Sequence, residues 1–75
     1  MTEDLQERIE KAISGAEVVV AGEGNRFEIR VVSGEFEGLS RVKRQQAVYA
    51  AIADLIASGA VHAVTIRALT PDEAG

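Results

Sequence analysis

The chain has 75 residues, of which 47% are hydrophobic and 4% aromatic, enough for one small core and one domain over residues 1–75. It has no cysteine, which excludes disulfides, thiolate metal sites and cysteine nucleophiles, and its single histidine, His62, cannot build a metal site alone. Twelve acids against eight bases leave a net charge of −4, which opposes nonspecific attachment to nucleic acid or anionic lipid.

Residues 2–14 read as a helix. Thr2 is its predicted N-cap, Glu3 and Asp4 suit the positive end of the helix dipole, and Leu5, Ile9, Ala12 and Ile13 recur at helical spacing. Gly15 ends it. Residues 16–21 alternate as a strand, with Val18 and Val20 on one face and Glu17 and Val19 on the other. Gly22-Glu-Gly-Asn-Arg26 is the loop of an antiparallel hairpin, and residues 27–33 form the returning strand, with Phe27, Ile29 and Val31 inward. Phe36 is expected to plug the core from the connector that follows. Ser40 caps the longest helix, about residues 41–58, whose predicted apolar stripe is Val42, Tyr49, Ile52 and Ile56, flanked by Val48, Ala53 and Leu55. Gly59 ends this helix as Gly15 ends the first. Residues 61–68 form a third strand, with His62, Val64, Ile66 and Ala68 on the core face. Thr70-Pro-Asp-Glu73 is a capping box with proline at the first helical position, so a last helix begins there.

The order is α-β-β-α-β, then a helical start. A strand-helix-strand unit returns parallel to its partner, so the prediction is an α+β domain. It has a three-stranded mixed sheet, helices on its apolar face and the other face largely open. No apolar run reaches the roughly 20 residues that span a bilayer. The acidic first residues lack the basic, apolar character of a targeting peptide, so a cytoplasmic monomer with no membrane partner is expected.

Two features stand out chemically. Arg41, Lys43 and Arg44 occupy the first turn of a helix, where cations are disfavoured by roughly 0.3–1 kcal/mol each. They form either an anion or partner contact, or a solvated network neutralised by Glu35 and Glu37. His62 is either a packed histidine or, at the rim of its strand, an imidazole available to a metal that a partner also holds. Gly22-x-Gly24 reads as a hairpin loop, because it precedes a strand rather than a helix. Tyr49 reads as core. No nucleophile stands with a base, and no carboxylate pair is screened by apolar neighbours, so no enzyme is predicted.

Three segments carry a resemblance. Phe36-Glu-Gly-Leu-Ser-Arg-Val-Lys-Arg-Gln-Gln-Ala-Val-Tyr49, then Val61-His-Ala-Val64, then Leu69-Thr-Pro-Asp-Glu73 resemble the BolA-like family, in particular its IbaG (YrbA) branch. The resemblance implies a fold similar to a class II KH domain. Gly38-Leu-Ser-Arg41 stands where a KH domain has its GXXG loop, and without the second glycine it does not support KH-type RNA clamping. The resemblance also implies a non-enzymatic partner of monothiol glutaredoxin in iron–sulfur homeostasis. His62 would match the family's ligand to a shared [2Fe–2S] cluster, with glutaredoxin and glutathione supplying thiolates. Arg26 stands where the IbaG branch tends to have histidine. The loop therefore lacks a ligand of the usual kind, and Glu23 is its one carboxylate. The alternative implied is a DNA-binding transcriptional regulator in stress response, with Arg41, Lys43 and Arg44 as its phosphate and base contacts.

Overall fold

The computed structural model describes residues 2–24 and 26–75. Helix α1 (Thr2–Ala12) is followed by strands β1 (Glu17–Glu23) and β2 (Arg26–Val32) and a 3-10 turn over Gly34–Phe36. Helix α2 (Arg41–Ala57), strand β3 (Ala63–Leu69) and the short helix α3 (Pro71–Ala74) complete the chain. The sheet order is β1-β2-β3, with β1 and β2 antiparallel and β2 and β3 parallel. This is the predicted α+β fold with a mixed sheet.

Local chemistry explains the boundaries. Gly15 and Gly59 adopt φ of 67° and 81°, so each helix-to-strand turn uses the left-handed conformation that glycine takes without strain. Ser40 Oγ accepts the Lys43 N–H at 3.2 Å, capping α2. The capping box at Thr70 is complete, with Glu73 Oε1 accepting the Thr70 N–H at 2.8 Å. Helix α1 ends at Ala12, two residues sooner than expected, and Thr2 lies within it rather than capping it. Strand pairing runs on to Glu23 and resumes at Arg26, so most of the predicted loop is hairpin ladder. The Glu23↔Arg26 pair closes that ladder.

The core lies between the sheet and α1 and α2. Leu5, Ile9, Phe27, Ile29, Val31, Phe36, Val48 and Ile52 are among its buried residues. On α2 the buried stripe runs through Val48 and Ile52, and two residues read as core lie outside it. Val42 is 65% exposed and Tyr49 38%. At 100° per residue both fall roughly 80–100° round the helix from the Val48–Ile52 line, on its flank. The opposite sheet face is open, as predicted: Val19, Ala21, Glu28, Arg30, Thr65 and Arg67 are all exposed. No helix among the described residues is long and apolar enough to cross a membrane.

Candidate functional site

The strand register decides which predicted site residues meet. Arg26 pairs with both Glu23 on β1 and Ala63 on β3, so His62, the residue before Ala63, stands at the hairpin end of the sheet. Glu23, Arg26 and Ala63 line a shallow groove of about 470 Å³ there. The fold thus gathers His62, Glu23 and Arg26 at one end, although 36 positions separate Arg26 from His62 in the chain.

His62 is exposed and precedes β3. Its expected place on the core face with Val64, Ile66 and Ala68 is therefore wrong. The two-residue alternation holds only inside a strand, and His62 lies in the turn that leads to one. Val61 is buried instead, 2% exposed, and anchors that turn. The His62 Nε2 lies 3.7 Å from the position a Cβ on Gly59 would take. No hydrogen bond from the described residues occupies the imidazole, which leaves a ring nitrogen free to act as a ligand. No group of three His, Asp or Glu side chains that could hold a metal occurs among the described residues. A metal at His62 would thus take its remaining ligands from another molecule.

The basic cluster is at the far end. Helix α2 begins where β3 finishes, because the Gln45 amide donates to the Ile66 carbonyl at 2.7 Å and Arg44 Nη1 to the Ala68 carbonyl at 3.4 Å. Seven strand residues at about 3.3 Å each put roughly 20 Å between this end and His62. His62 and the cluster cannot share one small ligand.

Nor are the three cations equivalent. The Arg44 side chain is only 11% exposed, its Nε donates to the Leu39 carbonyl at 3.1 Å, and Nη1 pairs with Glu73 at 2.6 Å. It clamps the start of α2 to β3 and α3. The acid that neutralises it is Glu73, not Glu35 or Glu37, so the expected network is corrected. Arg41 and Lys43 are exposed, and neither makes an ion pair among the described residues.

Two carboxylates are held in their charged form. Glu73 lies below its ordinary value of 4.5 because it accepts the Thr70 N–H and, next, pairs with Arg44. Asp54 lies below its ordinary 3.8, chiefly through its hydrogen bond from Arg8, at 2.6 Å. Lowered folded values mean stability that is fully present above the unfolded pKa values and lost as pH falls through the folded ones. The thermal midpoint is expected to change little from these groups down to about pH 5, then to fall below pH 4.5. The fall should be smaller in the Asp54→Asn, Glu73→Gln double variant, measured by circular dichroism melts. An equal fall would assign it to other acids.

Known proteins bear on the whole chain. The family model for BolA-like protein matches residues 6–73. The chain belongs to the BolA-like family. It is 43% identical over 70 residues to acid stress protein IbaG of Escherichia coli strain K12, covering 93% of this chain and 83% of the relative. An uncharacterized Acinetobacter guillouiae protein from an rpoN-murA intergenic region is 51% identical over 72 residues, covering 96% and 87%. Among solved structures, a bolA protein homologue from Coxiella burnetii superposes with a TM-score of 0.84 at 33% identity, covering 99% of this chain and 95% of that one. The BolA-like signature therefore extends through both ends of the sheet, and the His62 turn and the α2 cap both lie inside it.

Proposed function

We propose that this BolA-like protein is a cytoplasmic, non-enzymatic partner of a monothiol glutaredoxin, with His62 as its ligand to a shared [2Fe–2S] cluster. The observation that carries the reading is His62 itself. It is exposed at the hairpin end of the sheet, with no hydrogen bond among the described residues, in a chain that has no cysteine. The donor set fits a shared cluster and not a resident one, since only one nitrogen ligand is available here. When bound, the cluster supplies redox and transfer chemistry, and imidazole ligation in place of thiolate raises the potential. This chain presents the ligand and a surface around it. Glu23 and Arg26 flank that surface and set its charge. The name of the E. coli relative supports placing the partnership in an acid stress response.

The test is an anaerobic titration of [2Fe–2S]-loaded monothiol glutaredoxin with this protein, followed by visible circular dichroism. The expected result is a new spectrum with wild type and none with His62→Ala. Because His62 is exposed, that variant keeps its thermal midpoint, within about 0.5 kcal/mol of stability. An unchanged spectrum with wild type, or the same new spectrum with the variant, overturns the proposal.

DNA binding draws its support from exposed, unpaired Arg41 and Lys43 at the start of α2. With Arg44 committed to Glu73, that reading rests on two free cations and predicts a salt slope near two phosphate contacts, about −1.8. Mobility shifts lost on Arg41→Ala with Lys43→Ala, and kept with His62→Ala, would favour it.

A further inference from the structure

The open face of the sheet breaks a rule of strand pairing. Val19, Arg30 and Arg67 form one row across β1, β2 and β3, so two arginines stand directly side by side on neighbouring strands. Strands lie about 4.8 Å apart, and like charges opposite one another destabilise a sheet. No carboxylate pairs with either arginine: the two ion pairs among the described residues are Arg8–Asp54 and Arg44–Glu73. Two of the chain's twelve acids flank the row on this face, Glu17 on β1 and Glu28 on β2, yet neither closes an ion pair with Arg30 or Arg67 among the described residues.

Two shallow grooves meet at this row. One, of about 310 Å³, has Val19, Ala21, Thr65 and Glu28 beside Arg30 and Arg67. The other, of about 330 Å³, follows the outer side of β3 from Arg67 to Arg41. Arg67 lines both. Three guanidinium groups thus follow a path from the sheet face over the β3 edge, and Arg41 lacks an ion pair as well.

We infer that Arg30, Arg67 and Arg41 form a docking surface for an extended acidic peptide segment of a partner protein. Carboxylates bridge paired guanidinium groups through two-pronged hydrogen bonds and would remove the repulsion between Arg30 and Arg67. An extended segment presents every second side chain to one face, so one that alternates acidic and small residues turns its carboxylates together toward the arginines and its small residues away from the sheet. Glu28 lies in the next row, opposite Thr65, and selects against a further acid there. A nucleic-acid strand fits less well. Such surfaces stack bases on aromatic rings, and this one has none: Phe27 and Phe36 are buried and Tyr49 is on α2. The surface is separate from His62, so it stands or falls independently of the glutaredoxin reading.

The probe is a fluorescein-labelled hexapeptide alternating Glu and Thr, titrated with the protein at low ionic strength and read by anisotropy. The Arg30→Gln, Arg67→Gln double variant should bind about tenfold more weakly or worse, Arg41→Gln should weaken binding less, and His62→Ala should bind as wild type does. All these side chains are exposed, and unchanged far-ultraviolet circular dichroism will show that the variants are folded. Equal affinity of wild type and the double variant overturns the inference. So does tighter, Arg30- and Arg67-dependent binding of a single-stranded oligonucleotide carrying the same charge.

Discussion

Phe36→Ala should remove about 3–5 kcal/mol of stability, read as a lowered urea midpoint with little change in slope. A domain of this length has roughly 4–11 kcal/mol in total, so the variant would sit at the edge of folding at 25 °C. Phe36 is 1% exposed and stands in the 3-10 turn between β2 and α2, outside both. Its ring is the one aromatic that the connectors contribute to the core, so removing it leaves a cavity in a close-packed interior. The consequence reaches the site. The turn fixes where Ser40 and Arg44 enter α2, and through Arg44 the clamp to Ala68 and Glu73. Phe36→Leu, which keeps most of the volume, should cost less than about 1.5 kcal/mol. A loss below 1 kcal/mol for the alanine variant would show that the turn is not anchored by this ring.

The parts of this architecture that depend on short-range chemistry were legible in the sequence. The Thr70 capping box, the Ser40 cap and the left-handed glycines at residues 15 and 59 all follow from neighbours within a few positions, and the parallel return of β3 follows from the order of elements. What could not be read depends on contacts between distant segments. Arg44 meets Glu73 across 29 positions and Arg8 meets Asp54 across 46, and nothing in local pattern distinguishes Glu73 from Glu35 or Glu37 as the partner. The buried face of α2 departs from its apolar stripe for a related reason. Val42 and Tyr49 are apolar at nearly helical spacing, but the sheet contacts a line centred on Val48 and Ile52, and only the packing shows where that line lies. The candidate site divided in the same way. The resemblance picked out His62 and the residues of the hairpin, whereas their separation from the basic turn by a whole strand length is a property of the topology.

Gly22 holds the hairpin end of the sheet in shape, and Gly22→Ala should cost about 1–3 kcal/mol despite adding a single methyl group. In the ladder Gly22 faces Phe27, whose ring lies across the glycine. A Cβ at residue 22 would come within 2.5 Å of both Cδ1 and Cε1 of that ring. The ring cannot swing away freely, because Phe27 is 6% exposed and pairs with Val64 on its other side. Val64 is two residues from His62, so a displaced ring disturbs the strand that positions the candidate ligand. The cause can be isolated with Phe27→Val, which removes both clashing atoms while keeping a β-branched residue suited to a strand. In that background Gly22→Ala should be nearly neutral, giving a coupling energy of about 1–3 kcal/mol in a double-mutant cycle. Both backgrounds can be measured in sulfate, which strengthens apolar burial and keeps the weaker variants folded. The same cost in both backgrounds would mean that the glycine is needed for backbone freedom instead. Its φ argues otherwise, since the positive-φ glycines are residues 15, 24, 38 and 59 and Gly22 is not among them. The glycine is there for the ring, and the ring holds β1, β2 and β3 in register next to His62.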